Sequence, residues 1–292
     1  MNRHNKILLS VCFAITSAIF FALLNMFNKI ARTELSTEMA LFFRFSIGLV
    51  ISMPFFLGFK SFSFKCTNYH LHFFRTLSAF FGIFCLVYPL KYIPLVNVVL
   101  LGITYPLFVP ILVYFIFRKR LSMKMILGIV LGFIGVMFVL QPDHTRLFEF
   151  HSMIAVLGGL LIAISILFVR QLHKSSTSEQ ISFMYLSQAT IIATIIALFN
   201  WKWPTAQMWP VVIGIGITGA IYQQCLTYAL KYAHASLVSP IMYSSILFSA
   251  LIEFAYWGNI PNKAVWFGFV LIFIGACITV WIQKQSEKLT RR

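Results

Sequence analysis

The chain has 292 residues, of which 60% are apolar and only 10% charged, against about 25% charged in an ordinary soluble domain. A soluble fold of this length has too little interior for so much apolar surface, and ten membrane spans of about 21 residues would use most of the chain, leaving no room for a catalytic domain outside the bilayer. The formal charge is +16, from 23 Lys and Arg against 7 Asp and Glu; on a membrane chain such an excess reads as loop charge rather than as a nucleic-acid site.

The hydropathy pattern predicts an all-α membrane protein with helices at 7–31, 38–58, 70–90, 94–117, 122–140, 151–172, 180–200, 208–230, 235–257 and 264–283. Helix one has no persuasive small-residue cleavage site and is expected to be retained. It carries Asn25 and Asn28 on one face, with Lys29 near its far end. Helix two carries Arg44 near its start, where Glu34 or Glu38 could pair with it. Helix five holds Gly128, Gly132 and Gly135, and helix ten holds Gly268 and Gly275. Their spacing suits close helix approach, expected between helices five and ten. Helix eight holds Tyr222, Gln223, Gln224 and Tyr228, after Gly214, Gly216 and Gly219, which could loosen its outer end. Two adjacent amides in hydrocarbon are costly unless paired, so they bond either neighbouring helices or a polar solute. Helix nine carries Glu253, the one carboxylate inside a predicted span. It is a candidate for proton coupling, with pairing to a lysine such as Lys263 as the structural alternative.

Counting basic residues by side sets the expected orientation. With ten spans and a cytoplasmic N-terminus, 16 basic residues lie on the cytoplasmic side, Arg75 among them, 6 lie opposite, and Arg44 is left within a span. Both termini are therefore expected in the cytoplasm. The five cysteines and seven histidines form no ligand set. No Walker loop, acid pair or nucleophile–base spacing is present, so neither a cofactor nor an enzymatic reaction is expected.

An internal repeat organises the chain. Residues 84–140 align without a gap on 224–280, at an offset of 140, with 15 of 57 positions identical. Cys85-Leu86-x-Tyr88-x-Leu90-Lys91-Tyr92 matches Cys225-Leu226-x-Tyr228-x-Leu230-Lys231-Tyr232. Gly128-x-Val130-Leu131-x-Phe133-Ile134-Gly135 matches Gly268-x-Val270-Leu271-x-Phe273-Ile274-Gly275. Two five-helix halves, 1–142 and 143–292, follow; five is odd, so the second half enters from the opposite side as an inverted repeat.

These residues carry a family likeness. Lys29, Phe42-Phe43-Arg44, Leu90-Lys91-Tyr92-x-Pro94, Gln141-Pro142 and the run from Ala229 to Pro240, with the paired glycines, resemble the ten-helix EamA-type members of the drug/metabolite transporter superfamily over nearly the whole chain. One departure stands out: the Gly-Glu pair usual after helices four and nine is Arg118-Lys119 and Gly258-Asn259 here.

The resemblance implies a secondary transporter of a small organic metabolite in a bacterial-type inner membrane, working by alternating access. The solute would be an amino acid, a nucleotide-like molecule or a sulfonium such as S-adenosylmethionine. Helices three, four, eight and nine would line the pocket and one and six would close it. The substrate-binding candidates are then Asn25, Phe81, Phe84, Tyr88, Tyr105, Tyr222, Gln223, Gln224, Tyr228, Tyr243 and Ser244, and the gating or coupling candidates are Lys29, Arg44 and Glu253. With so few charges left in the spans, recognition is expected to rest on aromatics, amides and hydroxyls. The expected partners are the solute and membrane lipid, with a monomer favoured over a dimer through Gly128-x-x-x-Gly132. The alternative class is a membrane-embedded enzyme or lipid-handling protein without transport activity.

Overall fold

The computed structural model describes residues 3–57, 68–118, 123–140, 149–172, 175–232, 238 and 241–290. Among them the regular structure is helical: α1 (Arg3–Ala31), α2 (Thr37–Leu57), α3 (Tyr69–Val87), α4 (Leu95–Gly102), α5 (Tyr105–Phe117), α6 (Met123–Leu140), α7 (Phe150–Leu172), α8 (Ser178–Ala197), α9 (Trp209–Tyr232), α10 (Ser244–Trp257) and α11 (Lys263–Thr290). Seven stretches are long and apolar enough to cross a membrane, the interrupted Leu95–Ile116 among them, and three shorter apolar helices complete the set: Met123–Val139, Ser244–Trp257 and Lys263–Ile278. This is an all-α membrane protein, with its apolar helical stretches where the hydropathy pattern puts them. Gln141-Pro142, Lys119, Cys66 and most of the run from Ala233 to Pro240 lie outside the described residues.

Local chemistry sets several boundaries. Thr177 and Gln180 form a capping box at the start of α8, each side chain accepting the other's backbone N–H. The ends of α5 and α10 share a device. Arg118 and Gly258 occupy repeat-equivalent positions and both take left-handed φ values, 51° and 69°. Gly258 does so freely, whereas Arg118 bears the steric cost of a Cβ there.

The span expected as one helix over 94–117 is interrupted at Ile103–Thr104. Pro106 has no N–H to offer the carbonyl four residues back, so the helix breaks and restarts at Tyr105. A second interruption falls at Tyr243, just before α10. Tyr243 is the repeat equivalent of Ile103, and its hydroxyl donates to the Ile103 carbonyl at 3.2 Å. The two interrupted helices therefore meet at their breaks, and one side chain satisfies a backbone group freed in the other half.

The helix pairing obeys the twofold that the repeat predicts. The pair α1 with α9 is matched by α7 with α3, while α6 pairs with α11 and α4 with α10 across the axis. The α6–α11 seam is antiparallel and set by glycines. A Cβ on Gly268 would lie 2.6 Å from the Gly135 carbonyl oxygen, and one on Gly275 would lie 2.5 Å from that of Gly128. The repeat exchanges these two contacts, so they are one contact seen twice. Gly132 turns elsewhere, towards Leu107 of α5. Gly214 and Gly219, expected to loosen α9, instead seat Phe27 and the Arg44 stem. The hydrophobic centre is built on α4 and its neighbours, with Leu90, Leu95, Leu100, Leu101, Leu107 and Tyr243 fully buried.

Candidate functional site

Buried polar atoms mark where the bundle departs from an apolar core. Asn28 is fully buried on α1, and neither its amide oxygen nor its nitrogen has a hydrogen-bond partner among the described residues. The same holds for the Gln224 amide nitrogen on α9 and for the hydroxyls of Ser244 and Ser249 on α10. An unpaired amide or hydroxyl in a low-dielectric interior costs about 1–3 kcal/mol. Ser244 and Ser249 sit on the helix that follows the break at Tyr243, whereas Asn28 and Gln224 lie on α1 and α9.

The expected binding residues divide into distinct settings. Tyr105, Tyr222 and Tyr243 converge closely enough for Tyr105 to act electrostatically on both others. Tyr222 lies against Phe21 of α1 at 4.9 Å, and its carbonyl accepts from Ser17. Tyr243 is 2% exposed and is held by its bond to Ile103 and by Phe273. Gln223 is half-buried beside Tyr222. Asn25 is buried, but its amide donates to the Phe21 carbonyl within α1 at 2.8 Å. Phe81 is 41% exposed and meets Phe80 edge-on.

Tyr88 and Tyr228 belong instead to two stacks at opposite ends of the bundle. Tyr88 lies with Phe84, Tyr92 and His151, the last two rings 4.0 Å apart. Tyr228 lies with Phe13 and Tyr232. The stacks are repeat-related, each joining a Tyr pair to a ring from the paired helix.

The end that carries Tyr88 also carries the ion pair. Lys29 of α1 reaches Glu253 of α10 at 2.7 Å. The Glu253 carboxylate, 1% exposed, also accepts the Leu95 backbone N–H at 2.6 Å and the Asn259 amide at 3.1 Å. Trp257 lies under the Lys29 ammonium at 4.4 Å. Glu253 thus ties α1, α4 and α10, which come from both halves. The left-handed turn at Gly258 brings Asn259 back to it. An acid at position 259, as in the usual Gly-Glu pair, would face this carboxylate as a like charge; the amide donates to it instead. Lys263, the partner suggested by sequence, is exposed at the start of α11.

Two arginines also correct sequence expectations. Arg44 does not pair at the interface with Glu34 or Glu38. It is 9% exposed, and its electrostatic neighbours are Tyr185 and Tyr222. Glu34 is occupied by the backbone N–H and hydroxyl of Thr205, at 2.8 and 2.9 Å, which hold its carboxyl below the usual range. Arg75, counted from sequence as a loop charge, sits within α3, 8% exposed, with its guanidinium 3.8 Å above the Tyr185 ring. Its depth below Tyr69, where α3 begins, was the available signal; the partner ring lies 110 residues away on α8 and carries no signature of its own.

An apolar groove of about 500 Å³ runs between α6 and α7, lined by Ile129, Phe133, Val136, Met137, Met153 and Val156. It offers almost no polar surface to a solute.

Comparison with known proteins agrees with this architecture. The model of the EamA-like transporter family matches residues 8–141 and 150–281, one match per repeat. The chain therefore belongs to that family, and it is a multi-pass membrane protein. It is 27% identical to a riboflavin transporter of Vibrio cholerae over 94% of each chain. It is 24% identical to an S-adenosylmethionine uptake transporter of Rickettsia prowazekii, again over 94% of each. A pseudopaline exporter of Pseudomonas aeruginosa is 22% identical over 94% of this chain and 97% of that one. One solved crystal structure superposes on 98% of the chain and all of its own length, with a TM-score of 0.66 at 17% identity, which is a likeness of fold.

Proposed function

We propose that this member of the EamA-like transporter family is a secondary transporter of a small organic metabolite with an aromatic or heterocyclic part, working by alternating access. The observation that carries the reading is the meeting of two interrupted helices at repeat-equivalent positions, Ile103 and Tyr243, with the unpaired buried hydroxyl of Ser244 beside the second break. Interrupted helices expose polar backbone where a solute can use it, and a twofold between halves lets one rock against the other about a fixed site. Tyr105 and Tyr222 supply flat faces for a ring, and the amides supply hydrogen bonds that select its polar edge. The named relatives handle riboflavin and S-adenosylmethionine, both of which carry heteroaromatic rings, and this supports the same solute class here.

Glu253 serves as the gate of one end. It joins the two halves through Lys29 and Leu95, and opening that end requires the bonds to separate. The charge asymmetry supports an orientation with this end outside and both termini in the cytoplasm, in a bacterial-type inner membrane.

Uptake into proteoliposomes tests the reading. Purified protein should accumulate or exchange labelled riboflavin or S-adenosylmethionine, and N28A with Q224A should lower that uptake about tenfold or more, as expected when paired polar contacts to a solute are lost. Uptake unchanged in the double variant removes the site proposed here, and no uptake of any heteroaromatic metabolite removes the function.

A further inference from the structure

We infer that Arg44 and Arg75 form a subsite for an anionic group, a carboxylate or a phosphate, on the transported solute. This rests on the transport reading above and assigns that site a charged component that the sequence did not suggest.

The two cations come from adjacent helices and are buried within their spans. Arg44 on α2 is 9% exposed and Arg75 on α3 is 8% exposed. One aromatic cluster links them: Arg44 lies over the Phe45 ring at 5.5 Å, Phe45 meets Tyr185 of α8 edge-on at 5.6 Å, and Arg75 lies over Tyr185 at 3.8 Å. Among the described residues neither makes a salt bridge; the ion pair found there is Lys29–Glu253. The acids whose contacts are resolved are engaged elsewhere: Glu34 with Thr205, Glu149 with Ser152 and Glu253 with Lys29. His72, the other ionisable group near Arg75, adds no negative charge.

Two uncompensated guanidinium groups in one membrane interior are expensive, and such residues mark a functional path when no structural counter-ion is present. The Tyr185 face holds the Arg75 head by cation–π attraction at 3.8 Å, but a ring quadrupole orients a cation without cancelling its charge. Arg75 also keeps donors free. Its Nε and Nη1 are buried with no hydrogen-bond partner among the described residues. An arginine with open donors on its fork is the group suited to bidentate capture of a carboxylate or phosphate.

The surroundings hold the backbone of α3 and pack the Arg44 stem against α9. The Arg75 carbonyl accepts the Ser165 hydroxyl of α7 at 3.1 Å, and neighbouring Thr76 donates to Gln188 of α8 at 2.8 Å, so α3 is pinned on two sides. Gly219 of α9 leaves room for the Arg44 stem; a Cβ there would meet Arg44 Cγ at 3.6 Å. Because Gly219, one turn before Tyr222 on α9, packs on the Arg44 stem, the anion subsite adjoins the aromatic part of the proposed pocket. One ligand can then place its ring among the tyrosines and its negative group on the arginines. The position is interior, among α2, α3, α8 and α9, rather than on the lipid-facing surface.

Equilibrium binding tests this without transport. Detergent-purified protein is titrated with matched pairs that differ in one negative group: riboflavin 5′-phosphate against riboflavin, and S-adenosylmethionine against its decarboxylated analogue. Inorganic phosphate serves as a bare anion, with chloride holding ionic strength constant, and the melting temperature is read throughout. The member carrying the extra negative group in at least one pair should half-saturate the shift at a concentration about tenfold or more below the member that lacks it. R75Q and R44Q should close that gap, while R75K, which keeps the charge but loses the fork, should retain part of it. A gap for the phosphate pair alone assigns a phosphate, and one for the decarboxylated pair alone assigns a carboxylate. Equal binding within both pairs, absence of any anion-dependent shift, or wild-type discrimination in R75Q and R44Q overturns the subsite. Uptake without anion discrimination would sink the subsite and leave the transport reading standing; discrimination without uptake would do the reverse.

Discussion

The two ends of the bundle are related by the internal twofold, yet among the described residues only one is locked by charge. At one end Tyr88 and Tyr92 stack with His151, and beside them Lys29, Leu95 and Asn259 converge on Glu253. At the other end Tyr228 and Tyr232 stack with Phe13, but the repeat equivalent of Glu253 is Val113, half-buried on α5. The aromatic scaffold is thus duplicated and the ion pair is not. The fold needs the stacks at both ends to join each interrupted half to its neighbour. The ionic tie is an addition at one end, so the free energies of opening the two ends must differ.

Substitution should expose that difference most strongly at Glu253. E253A strands a buried Lys29 ammonium and the Leu95 N–H, and should cost about 3–5 kcal/mol in thermal or denaturant unfolding. V113A, at the equivalent place, should cost about 1 kcal/mol or less. A K29M/E253M double variant should recover part of the loss, since removing both charges leaves no isolated one. Equal costs for E253A and V113A would erase the proposed asymmetry.

The glycine seam supplies the symmetric control. G135A and G275A, at repeat-equivalent positions, each push a methyl group into the partner helix backbone, and each should lower stability by about 1–3 kcal/mol. Because the repeat exchanges the two contacts, their costs should agree closely; a large mismatch would mean that the twofold does not govern packing. The stacks should behave alike on a smaller scale. Y92A and Y232A should each cost about 0.5–1.5 kcal/mol in melting experiments, and a much larger loss for Y92A would show that the charged end leans on its rings as well.

The smallest effect belongs to the Glu34–Thr205 contact at the edge of the charged end. Thr205 lowers the Glu34 pKa from 4.5 by donating its N–H and hydroxyl to the ionised form. A depressed folded-state pKa contributes stability that is present above the unfolded value of 4.5 and is lost as pH falls through the lower folded value. Wild-type protein should therefore lose a slight melting advantage over E34Q between pH 5 and pH 3. A constant difference across that range would remove the contact from the account.

Much of this architecture was legible in the chain. The apolar stretches, the offset of 140 and the glycines of α6 and α11 lie on its face, because hydropathy and backbone approach are local properties. The break at Ile103–Thr104 was signalled by Pro106 and still read as one helix, since apolar composition runs unbroken across it. The matching break at Tyr243 has Ile246 where Pro106 stands, so the sequence gives it no such mark. Partners were the harder matter. Glu253 stood out as an intramembrane acid, but its choice of Lys29 over Lys263 depends on α1 packing beside α10. Arg75 was miscounted because a charge near a span's start looks like loop charge until Tyr185 is found against it.

The central claim is that the Glu253 carboxylate holds one end of the two halves together and must let go for transport. Spin labels at Thr33 and Tyr256, both exposed near that end, allow the distance between α1 and α10 to be read by double electron–electron resonance in a cysteine-free background. Wild-type protein should give a single short distance, and E253Q should add a longer population. Identical distributions in the two proteins would contradict the claim.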